Sequence, residues 1–500
     1  MAEVALTRLA DLWWGWRAVM LLGIGAVAAL GQAPWGLWPL TILGLALFYG
    51  LYLQVTGWRA AAFVGWLVGT GHFLLAFHWI TEPFMVDAAR HGWMAPFALL
   101  GLAAGMALYW GAGLALARVM GGGAMAFVAW LGLAEIARGW LFTGFPWAQA
   151  GHALIDTPLL HWASYLGAPG LLTLILAAAV ALWHMVAGAQ GRGALALAGM
   201  AALWPLGVAL TPEAGPEAGA PVIRLVQPNA PQHEKWKPER ARAFLDRQRA
   251  FTAADEVPDL VVWPETAVPV WLNHAGETLE AVAASARGAP VVLGIQRFEG
   301  RRIYNSLAVV ERGGVVNEVY DKHHLVPFGE FMPFGDFLAK IGIYGLASNE
   351  GQGYSAGSGA QLIDLGPLGR ALPLICYESV FARDLRAAPG RADMILLITN
   401  DAWFGQISGP YQHLAQASLR SAEMGLPMIR VANTGVSAMI DATGRITEAI
   451  PLGDAGWRDA VLPRALPETV YARFGDAPML ALYALLLALS LWRNSARGHR

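Results

Sequence analysis

Charged residues and cysteine are both scarce in this chain of 500 residues. Only 14% of the residues are charged, against a usual share of roughly a quarter in soluble proteins, and 56% are hydrophobic. This composition favours a membrane protein over an ordinary soluble one. The single cysteine, Cys376, excludes an internal disulfide framework and a metal site built from several cysteines.

The few charged residues are unevenly distributed. The chain has 34 basic and 36 acidic residues, but only 13 of them lie in residues 1–210, and the first lysine is Lys235. The formal net charge of -2 identifies no class of partner. We therefore divide the chain into a front part that suits a lipid bilayer and a more polar part behind it.

Seven apolar segments precede the polar part and one follows it. Each is close to the roughly 20 residues that a helix needs to cross a bilayer. The predicted spans are residues 14–31, 35–54, 60–80, 93–117, 123–143, 167–188, 194–210 and 477–492. The sequence thus predicts a multi-pass α-helical membrane bundle in residues 1–210, with a further C-terminal span. Because more spans follow the first one, we interpret it as an anchor and not as a cleaved signal peptide.

Arginines in the short loops predict the orientation of these spans, because basic residues there prefer the cytoplasmic face. If the spans alternate, one face carries Arg8, Arg17, Arg59, Arg118, Arg192, Arg493, Arg497 and Arg500. The short loops of the other face have only Arg90 and Arg138. We therefore expect both termini in the cytoplasm and residues 211–476 on the periplasmic face of a bacterial inner membrane.

One ion pair is predicted within the bundle. Glu135 and Arg138 are three residues apart near the outer end of the fifth span. Ionisable residues inside a membrane are candidates for function, but residues at this spacing also pair on a helix surface. We favour the second interpretation, a helix-surface ion pair close to the membrane interface.

The segment 211–220 is rich in Pro, Gly and Ala and predicts a linker. Behind it, short apolar runs such as DLVVWPET, LPLICYES and MILLITND alternate with amphipathic stretches such as residues 238–251 and 411–424. This alternation is typical of an α/β domain with a largely buried sheet. We assign residues 221–465 to one such domain.

Reactive side chains follow three of the predicted strands, namely Glu265, Cys376 and Asp401. Functional groups in α/β folds collect at such strand ends. A cysteine attacks a carbonyl carbon as a thiolate, so it needs a base and a positive charge nearby. Glu265 is the candidate base, and Lys322, in the irregular stretch YDKHHLVPFGEFMPF, is the candidate charge. Lys322 and the backbone N–H of Tyr377 are candidates for stabilising an oxyanion.

A lone cysteine is more often an inert core thiol, and the combination of motifs argues against that here. WPET, YDKHHLVPFGEF and ICYES resemble the Glu, Lys and Cys motifs of the nitrilase, or carbon–nitrogen hydrolase, superfamily in their order along the chain. With its membrane segments, and with RGWLFTGFPW, QPN, TNDAWFG and RVANTG, the whole chain resembles the apolipoprotein N-acyltransferase family. The resemblance implies an α-β-β-α sandwich for residues 221–465.

The resemblance also implies an acyltransferase of bacterial lipoprotein maturation that needs no cofactor and no metal. Cys376 would take an acyl chain from a membrane phospholipid as a thioester, and the amine of an apolipoprotein's diacylglyceryl-cysteine would accept it in a ping-pong reaction. Glu265 would act first as base and then as acid, and Glu330 and Glu378 would orient Lys322. We expect a membrane-embedded monomer with these two lipid substrates and no nucleic-acid partner.

Three further residues are assigned to substrate binding, namely Trp236, Asn229 and Tyr344. For Trp236 the alternative is the general preference of tryptophan for a water–lipid boundary. Tyr344 lies in the loop 337–358, which mixes apolar residues with glycine. That loop is either a lid over the site or a surface loop.

Other interpretations stay open. GYSAG at 353–357 matches the G-x-S-x-G elbow of serine hydrolases, but neither a strand before it nor a helix after it is predicted, so we do not assign Ser355 as a nucleophile. One alternative function is a membrane-tethered amidase or nitrilase-type hydrolase that uses water as acceptor. Another is a transporter or scaffold with a degenerate enzyme domain, for which Cys376→Ala would leave function intact.

Overall fold

The computed structural model describes residues 14–333 and 353–498. The chain forms two compact units. The helical unit comprises residues up to Thr81, Trp93–Thr211 and the segment from Thr469 onward. The mixed unit comprises Glu82–Gly92 and Pro212–Glu468. The segment Glu82–Gly92 therefore belongs to the mixed unit, although it lies between two helices of the helical unit in the sequence.

Each of the eight predicted apolar segments contains a helix. These helices are Trp14–Ala29, Trp38–Gln54, Trp58–Ala76, Ala95–Val119, Gly123–Trp140, Ala163–Val186, Gln190–Leu210 and Ala477–Gly498. Many of their apolar side chains are exposed, including Trp16, Phe97 and Leu195. An apolar surface of this kind suits lipid rather than water.

Five helical stretches among the described residues are long and apolar enough to cross a bilayer. They are Trp58–Ala76, Ala88–Val119, Pro158–Val186, Gln190–Leu210 and Ala477–Ala496. Gly15–Ala29 and Trp38–Gln54 are apolar but shorter, and Gly123–Trp140 carries the charged residues Glu135 and Arg138. The helical membrane character is therefore confirmed, whereas the count of eight spans stays a prediction.

Glycines let two helices of the helical unit approach each other closely. A Cβ at Gly25 would collide with the backbone carbonyl of Val68, and a Cβ at Gly71 would collide with that of Leu22. Both contacts join helix Trp14–Ala29 to helix Trp58–Ala76. Small residues at such crossings are typical of helices that pack in lipid, where van der Waals contact replaces the hydrophobic effect.

Glu135 and Arg138 form a buried pair, so the predicted helix-surface ion pair is wrong. Each residue is only 1% exposed. The Arg138 guanidinium pairs with Glu135 and donates to the carbonyls of Phe145 and Trp147, the second at 2.9 Å. The indole N–H of Trp110 donates to Glu135 Oε1 at 2.5 Å. The chain after the helix folds back over the pair and buries it, and the spacing within the helix does not reveal this.

The mixed unit is built on two six-stranded sheets. The strands are β1 Val222–Gln227, β2 Leu260–Val262, β3 Val291–Glu299, β4 Arg302–Val310, β5 Val316–Asp321, β6 Ile363–Asp364, β7 Arg370–Ile375, β8 Met394–Thr399, β9 Met428–Ala432, β10 Ser437–Ile440, β11 Ile446–Ile450 and β12 Gly456–Val461. Their order is β12-β1-β2-β3-β4-β5 in one sheet and β11-β10-β9-β8-β7-β6 in the other. The longest helices of the unit are Pro238–Thr252, Gly276–Ser285 and Gly409–Met424.

The two sheets pack against each other through one apolar core. That core joins side chains from both sheets, for example Leu225 and Val262 with Ile375 and Leu396. A second core lies between the first sheet and its helices, with Val282 of helix Gly276–Ser285 among its members. The α/β prediction is therefore confirmed.

The parallel pairing within each sheet explains the position of the reactive residues. Strands β1, β2 and β3 pair in parallel at the centre of the first sheet, as do β7, β8 and β9 in the second. The carboxyl ends of parallel strands lie at the same edge of a sheet. Residues that follow β7 and β8 therefore become neighbours.

We predict that Arg138→Met destabilises the protein strongly, because it leaves Glu135 buried without its cation. Removal of one partner of a buried pair costs about 3–5 kcal/mol. Thermal unfolding in detergent measures the change, and Arg240→Met serves as control, because Arg240 is exposed and its partner Glu234 is partly exposed. Equal melting temperatures for the two variants would contradict the prediction.

Candidate active site

Cys376 stands at a sharp turn directly after β7. Its φ angle is +53°, in the left-handed region that residues other than glycine adopt rarely. The residue opens a short 3-10 helix, Cys376–Val380, and is 5% exposed. The Glu378 carboxylate stabilises the turn, because it accepts the N–H of Ile375 at 2.7 Å. The backbone thus holds the thiol at the edge of the sheet.

Glu265 follows β2 in a loop that is held by a buried lysine. The Lys235 ammonium donates to the backbone carbonyl of Glu265 at 3.1 Å and to the Thr266 hydroxyl at 2.8 Å. Thr266 has a φ angle of +46°, which is strained for a β-branched residue. Gly294 of β3 lies beneath this loop, where a Cβ would come within 2.6 Å of the Glu265 Cα atom. The loop therefore fits only because residue 294 has no side chain.

Lys322 lies directly after β5 and is almost fully buried at 1% exposure. Its ammonium is 2.8 Å from Glu330 Oε1 and 3.9 Å from Glu265 Oε1. The side-chain amide of Asn305, on β4, donates to Glu265 Oε1 at 2.6 Å and lies 3.4 Å from Glu330 Oε1. One ammonium and one amide thus hold two carboxylates together. The predicted acid and the predicted cation lie side by side.

Burial and nearby charges together favour the protonated form of the Cys376 thiol. Burial raises the pKa of the Cys376 thiol, and the negative charge of Glu265 raises it further, whereas Lys322 lowers it. Burial also raises the pKa of Glu265, although Lys322 opposes this change. Burial alone would lower the pKa of Lys322, but Glu330 and Glu265 outweigh it and raise that pKa well above its usual value. The site therefore combines a thiol, a poised carboxylate and a permanent ammonium.

Such a combination can perform nucleophilic acyl chemistry. Glu265 can accept the proton of the thiol, and Lys322 can stabilise the negative charge that then appears on sulfur or on a carbonyl oxygen. In the described residues 14–333 and 353–498, no three His, Cys, Asp or Glu side chains come together as a metal site.

Two of the predicted supporting residues, Glu330 and Glu378, contact different parts of the site. Glu330 contacts the Lys322 ammonium directly, and its other oxygen accepts the N–H of Val326 at 2.9 Å. Glu378 instead accepts the backbone N–H groups of His323 and His324, at 2.8 and 3.1 Å. It therefore holds the loop that follows Lys322 rather than the ammonium itself.

The aromatic and histidine residues of this region form a separate cluster. The Tyr377 ring packs edge-on against Phe381 at 4.9 Å, and His324 stacks on Phe381 at 3.7 Å. The Tyr320 hydroxyl donates to Glu378 at 2.8 Å. These contacts fix the turn that carries Cys376.

Two of the predicted substrate-binding residues, Trp236 and Asn229, lie among the described residues. Trp236 is 43% exposed and lines a small pocket with the buried residues Lys235, Phe244 and Gln248. Asn229 has a φ angle of +49° and bonds to the backbone of Gly453. Tyr344 and most of the loop 337–358 lie outside the described residues.

Several residues of the site were not predicted as such from the sequence. Lys235 and Asn305, which hold Glu265, are two of them. Arg430 and His413 are two more, and they donate to Asp401, the strand-end residue named from the sequence, at 2.5 Å and 2.9 Å. Two features of the sequence point to this region: Lys235 is the first lysine of the chain, and Asp401 follows a predicted strand.

The GYSAG stretch has a structural explanation. The N–H of Tyr354 donates to the Glu330 carbonyl at 2.8 Å, and that of Gly357 donates to the Lys322 carbonyl at 2.9 Å. A Cβ at Gly353 would lie 2.9 Å from Phe331 Cα, and a Cβ at Gly357 would lie 2.9 Å from the Asp321 carbonyl carbon. The two glycines let this segment pack against the chain that carries Lys322 and Glu330. Residues 353–357 are irregular, and no helix follows them directly in the described residues.

Comparisons with known proteins cover nearly the whole chain. Residues 207–466 match the carbon–nitrogen hydrolase family, and residues 24–182 match the apolipoprotein N-acyltransferase N-terminal domain. The apolipoprotein N-acyltransferases of Rhodopseudomonas palustris and Bradyrhizobium diazoefficiens are 34% and 36% identical to it, each over 97% of both chains. A solved CN-hydrolase superfamily protein from Xanthomonas campestris matches with 21% identity and a TM-score of 0.35, over 53% of this chain and 96% of that one.

We predict that Gly294→Ala slows acylation of Cys376 by about a hundredfold. The new methyl group must push the Glu265 loop aside, and a displacement of about 1 Å at a catalytic group costs up to about 10²-fold. Time-resolved mass spectrometry of protein mixed with phospholipid measures the rate. Gly456→Ala is the matched control, because a Cβ there meets nothing within 4 Å. Equal rates for both variants would refute the role given to Gly294.

Proposed function

The chain belongs to the apolipoprotein N-acyltransferase family, and on this basis we propose how its site transfers an acyl chain between two lipid substrates. The donor is a membrane phospholipid. The acceptor is the amine of the diacylglyceryl-cysteine at the N-terminus of an apolipoprotein. The acyl chain passes through a thioester on Cys376 in a ping-pong reaction.

In the first half-reaction the thiol attacks the ester of the phospholipid. Glu265 takes the proton of Cys376 while the sulfur forms a bond to the carbonyl carbon. The ester carbonyl becomes an oxyanion, which Lys322 stabilises through its positive charge. When the C–O bond breaks, Glu265 returns the proton to the leaving alkoxide, and a lysophospholipid departs.

In the second half-reaction the acceptor amine attacks the thioester. Its nitrogen bonds to the carbonyl carbon, the C–S bond breaks, and the proton lost by the amine passes through Glu265 to the sulfur. Cys376 is again a thiol and Glu265 again a carboxylate. The same three side chains therefore serve both halves: Cys376 is the nucleophile in the first and the leaving group in the second, and Glu265 accepts and returns a proton in each.

One observation carries this proposal. A buried thiol lies within the electrostatic influence of a buried carboxylate and a buried ammonium. Strongly perturbed ionisable groups that are gathered in this way are typical of catalytic sites. The thiol, carboxylate and ammonium are also the three groups that the chemistry requires, and they come from three distant parts of the sequence.

The family and the membrane-length helices indicate a bacterial inner-membrane protein. We place both termini in the cytoplasm and residues 211–476 in the periplasm, because the arginines of the short loops favour that orientation. We further propose that residues 221–465 form the catalytic domain, that 477–492 is the closing span, and that the protein acts as a monomer.

We predict that incubation with phospholipid adds the mass of one long acyl chain to Cys376. Hydroxylamine should remove the acyl group, because it cleaves thioesters, and a diacylglyceryl lipopeptide should discharge it with formation of an N-acylated product. Intact-protein and peptide mass spectrometry measure both steps, and Cys376→Ser is the control that should carry no thioester.

Two outcomes would contradict the proposed reaction. An unmodified thiol in protein that forms N-acylated lipopeptide would exclude the thioester route. Release of free fatty acid without an N-acylated product would instead favour the hydrolase alternative.

We also predict the orientation of the spans from reporter fusions. Alkaline phosphatase, which is active only in the periplasm, should be active when fused at Gly215 and inactive when fused at Gly122. The reason is that Gly215 follows an odd number of predicted spans, whereas Gly122 follows Arg118 on the predicted cytoplasmic side. Activity at Gly122, or inactivity at Gly215 in a stably expressed fusion, would require a different topology.

A further inference from the structure

Thr399 is the last residue of β8, beside the turn that carries the nucleophile. Strands β7 and β8 are parallel, and Ile375 pairs with Ile398. The next residues along the chain are Cys376 and Thr399, which therefore lie close to each other at the same edge of the sheet. Thr399 is fully buried.

The Thr399 hydroxyl has two partners but only one proton to donate. It lies 2.8 Å from Asp401 Oδ1, and its interaction with the Cys376 sulfur lowers the pKa of that thiol. While Cys376 is a thiol, the Thr399 O–H donates to Asp401, and the Thr399 oxygen is then left only as an acceptor for the S–H. Once the sulfur is negative, this arrangement leaves the anion without that donor.

Asp401 does not depend on Thr399. Its Oδ1 atom accepts from His413 Nδ1 at 2.9 Å, and its Oδ2 atom accepts from Arg430 at 2.5 Å. The positive charge of Arg430 and the hydrogen bond from His413 lower the pKa of Asp401 despite its burial. If the Thr399 hydroxyl turns away, the carboxylate keeps two charge-assisted partners. The hydroxyl can therefore rotate at small cost, without movement of any heavier atom.

We propose that Thr399 is a further catalytic residue, whose hydroxyl turns from Asp401 to the Cys376 sulfur whenever that sulfur carries negative charge. This inference rests on the thioester route proposed above. The sulfur is negative twice, when Glu265 has taken the thiol proton and when the C–S bond of the tetrahedral intermediate breaks. No proton leaves Thr399 in either step, because a hydroxyl accepts from S–H and donates to a thiolate by rotation alone.

The titratable and charged side chains around the sulfur are the same in every variant of the test. Those that face Cys376 directly are Glu265, Lys322 and Asp401. Glu330 in turn contacts Lys322, and His413 and Arg430 contact Asp401. A difference between variants at position 399 therefore isolates the hydroxyl.

The test compares Thr399→Val with Thr399→Ser and with Thr41→Val. Valine keeps the shape of threonine and removes the hydroxyl, whereas serine keeps the hydroxyl. Thr41 is an equally buried threonine whose hydroxyl donates to the Ala28 carbonyl at 2.8 Å in the helical unit. If Thr399→Val does not fold, Thr399→Ala removes the hydroxyl without adding a methyl group.

Two rates are measured for each variant. The first is alkylation of Cys376 by iodoacetamide from neutral to alkaline pH, and the second is formation and discharge of the acyl-enzyme. Loss of a hydrogen bond to a charged group should slow alkylation at each pH, and both acyl steps, by about ten- to a hundredfold. Thr399→Ser should stay close to the wild type, and so should Thr41→Val.

The outcomes separate this inference from the proposed function. If Thr399→Val lowers the melting temperature but leaves all rates unchanged, Thr399 serves Asp401 alone and the inference is overturned. A wild-type protein that forms no acyl-enzyme would refute the proposed function, while the alkylation rates would still decide the role of Thr399.

Discussion

The site depends on the buried ammonium of Lys322. Burial penalises any charge, and the two carboxylates in contact with this ammonium, Glu265 and Glu330, would be costly to bury without it. With a neutral thiol, the three charges sum to -1. Transfer of the Cys376 proton to Glu265 leaves that sum unchanged, whereas loss of the proton to solvent adds one negative charge. The electrostatics therefore favour a proton that moves within the cluster, and this is the transfer that attack on an ester requires.

The backbone around the site is strained, and polar contacts hold it there. Cys376 and Thr266 both occupy the left-handed region, where such conformations cost on the order of 1–3 kcal/mol each. The Glu378 carboxylate supports the first position and the Lys235 ammonium supports the second. These buried groups touch neither the sulfur nor each other. Their contribution is to aim the nucleophile and the base, and part of the folding free energy is used for this purpose.

The sequence predicts the parts of this molecule that depend on local pattern, and it misses those that depend on tertiary contact. The helical segments, the α/β domain and the family are all confirmed, because apolar length, alternating runs and ordered motifs are visible in one dimension. The prediction that the Glu135–Arg138 pair lies on a helix surface is wrong, because the pair is covered by the segment of chain that follows the helix. Asn305 lies 40 residues from Glu265 in sequence, and only the pairing of strands shows that they meet. The roles of Glu265, Lys322 and Cys376 stay predictions, although their geometry favours them.

Burial also bears on the choice between amine and water as acceptor. Cys376 and Glu265 are each about one-twentieth exposed, so an acyl chain on the sulfur would be largely shielded from bulk solvent. In the proposed reaction, Glu265 is again a carboxylate once the lysophospholipid has left, and burial raises the pKa of this carboxyl. An N-terminal α-amine has an ordinary pKa of about 8, which is lower than that of a lysine side chain. Proton transfer from an α-ammonium to Glu265 is therefore less unfavourable than proton transfer from a lysine would be. The unprotonated amine is also a stronger nucleophile than water. A shielded thioester beside a base of raised pKa is therefore better suited to aminolysis than to hydrolysis.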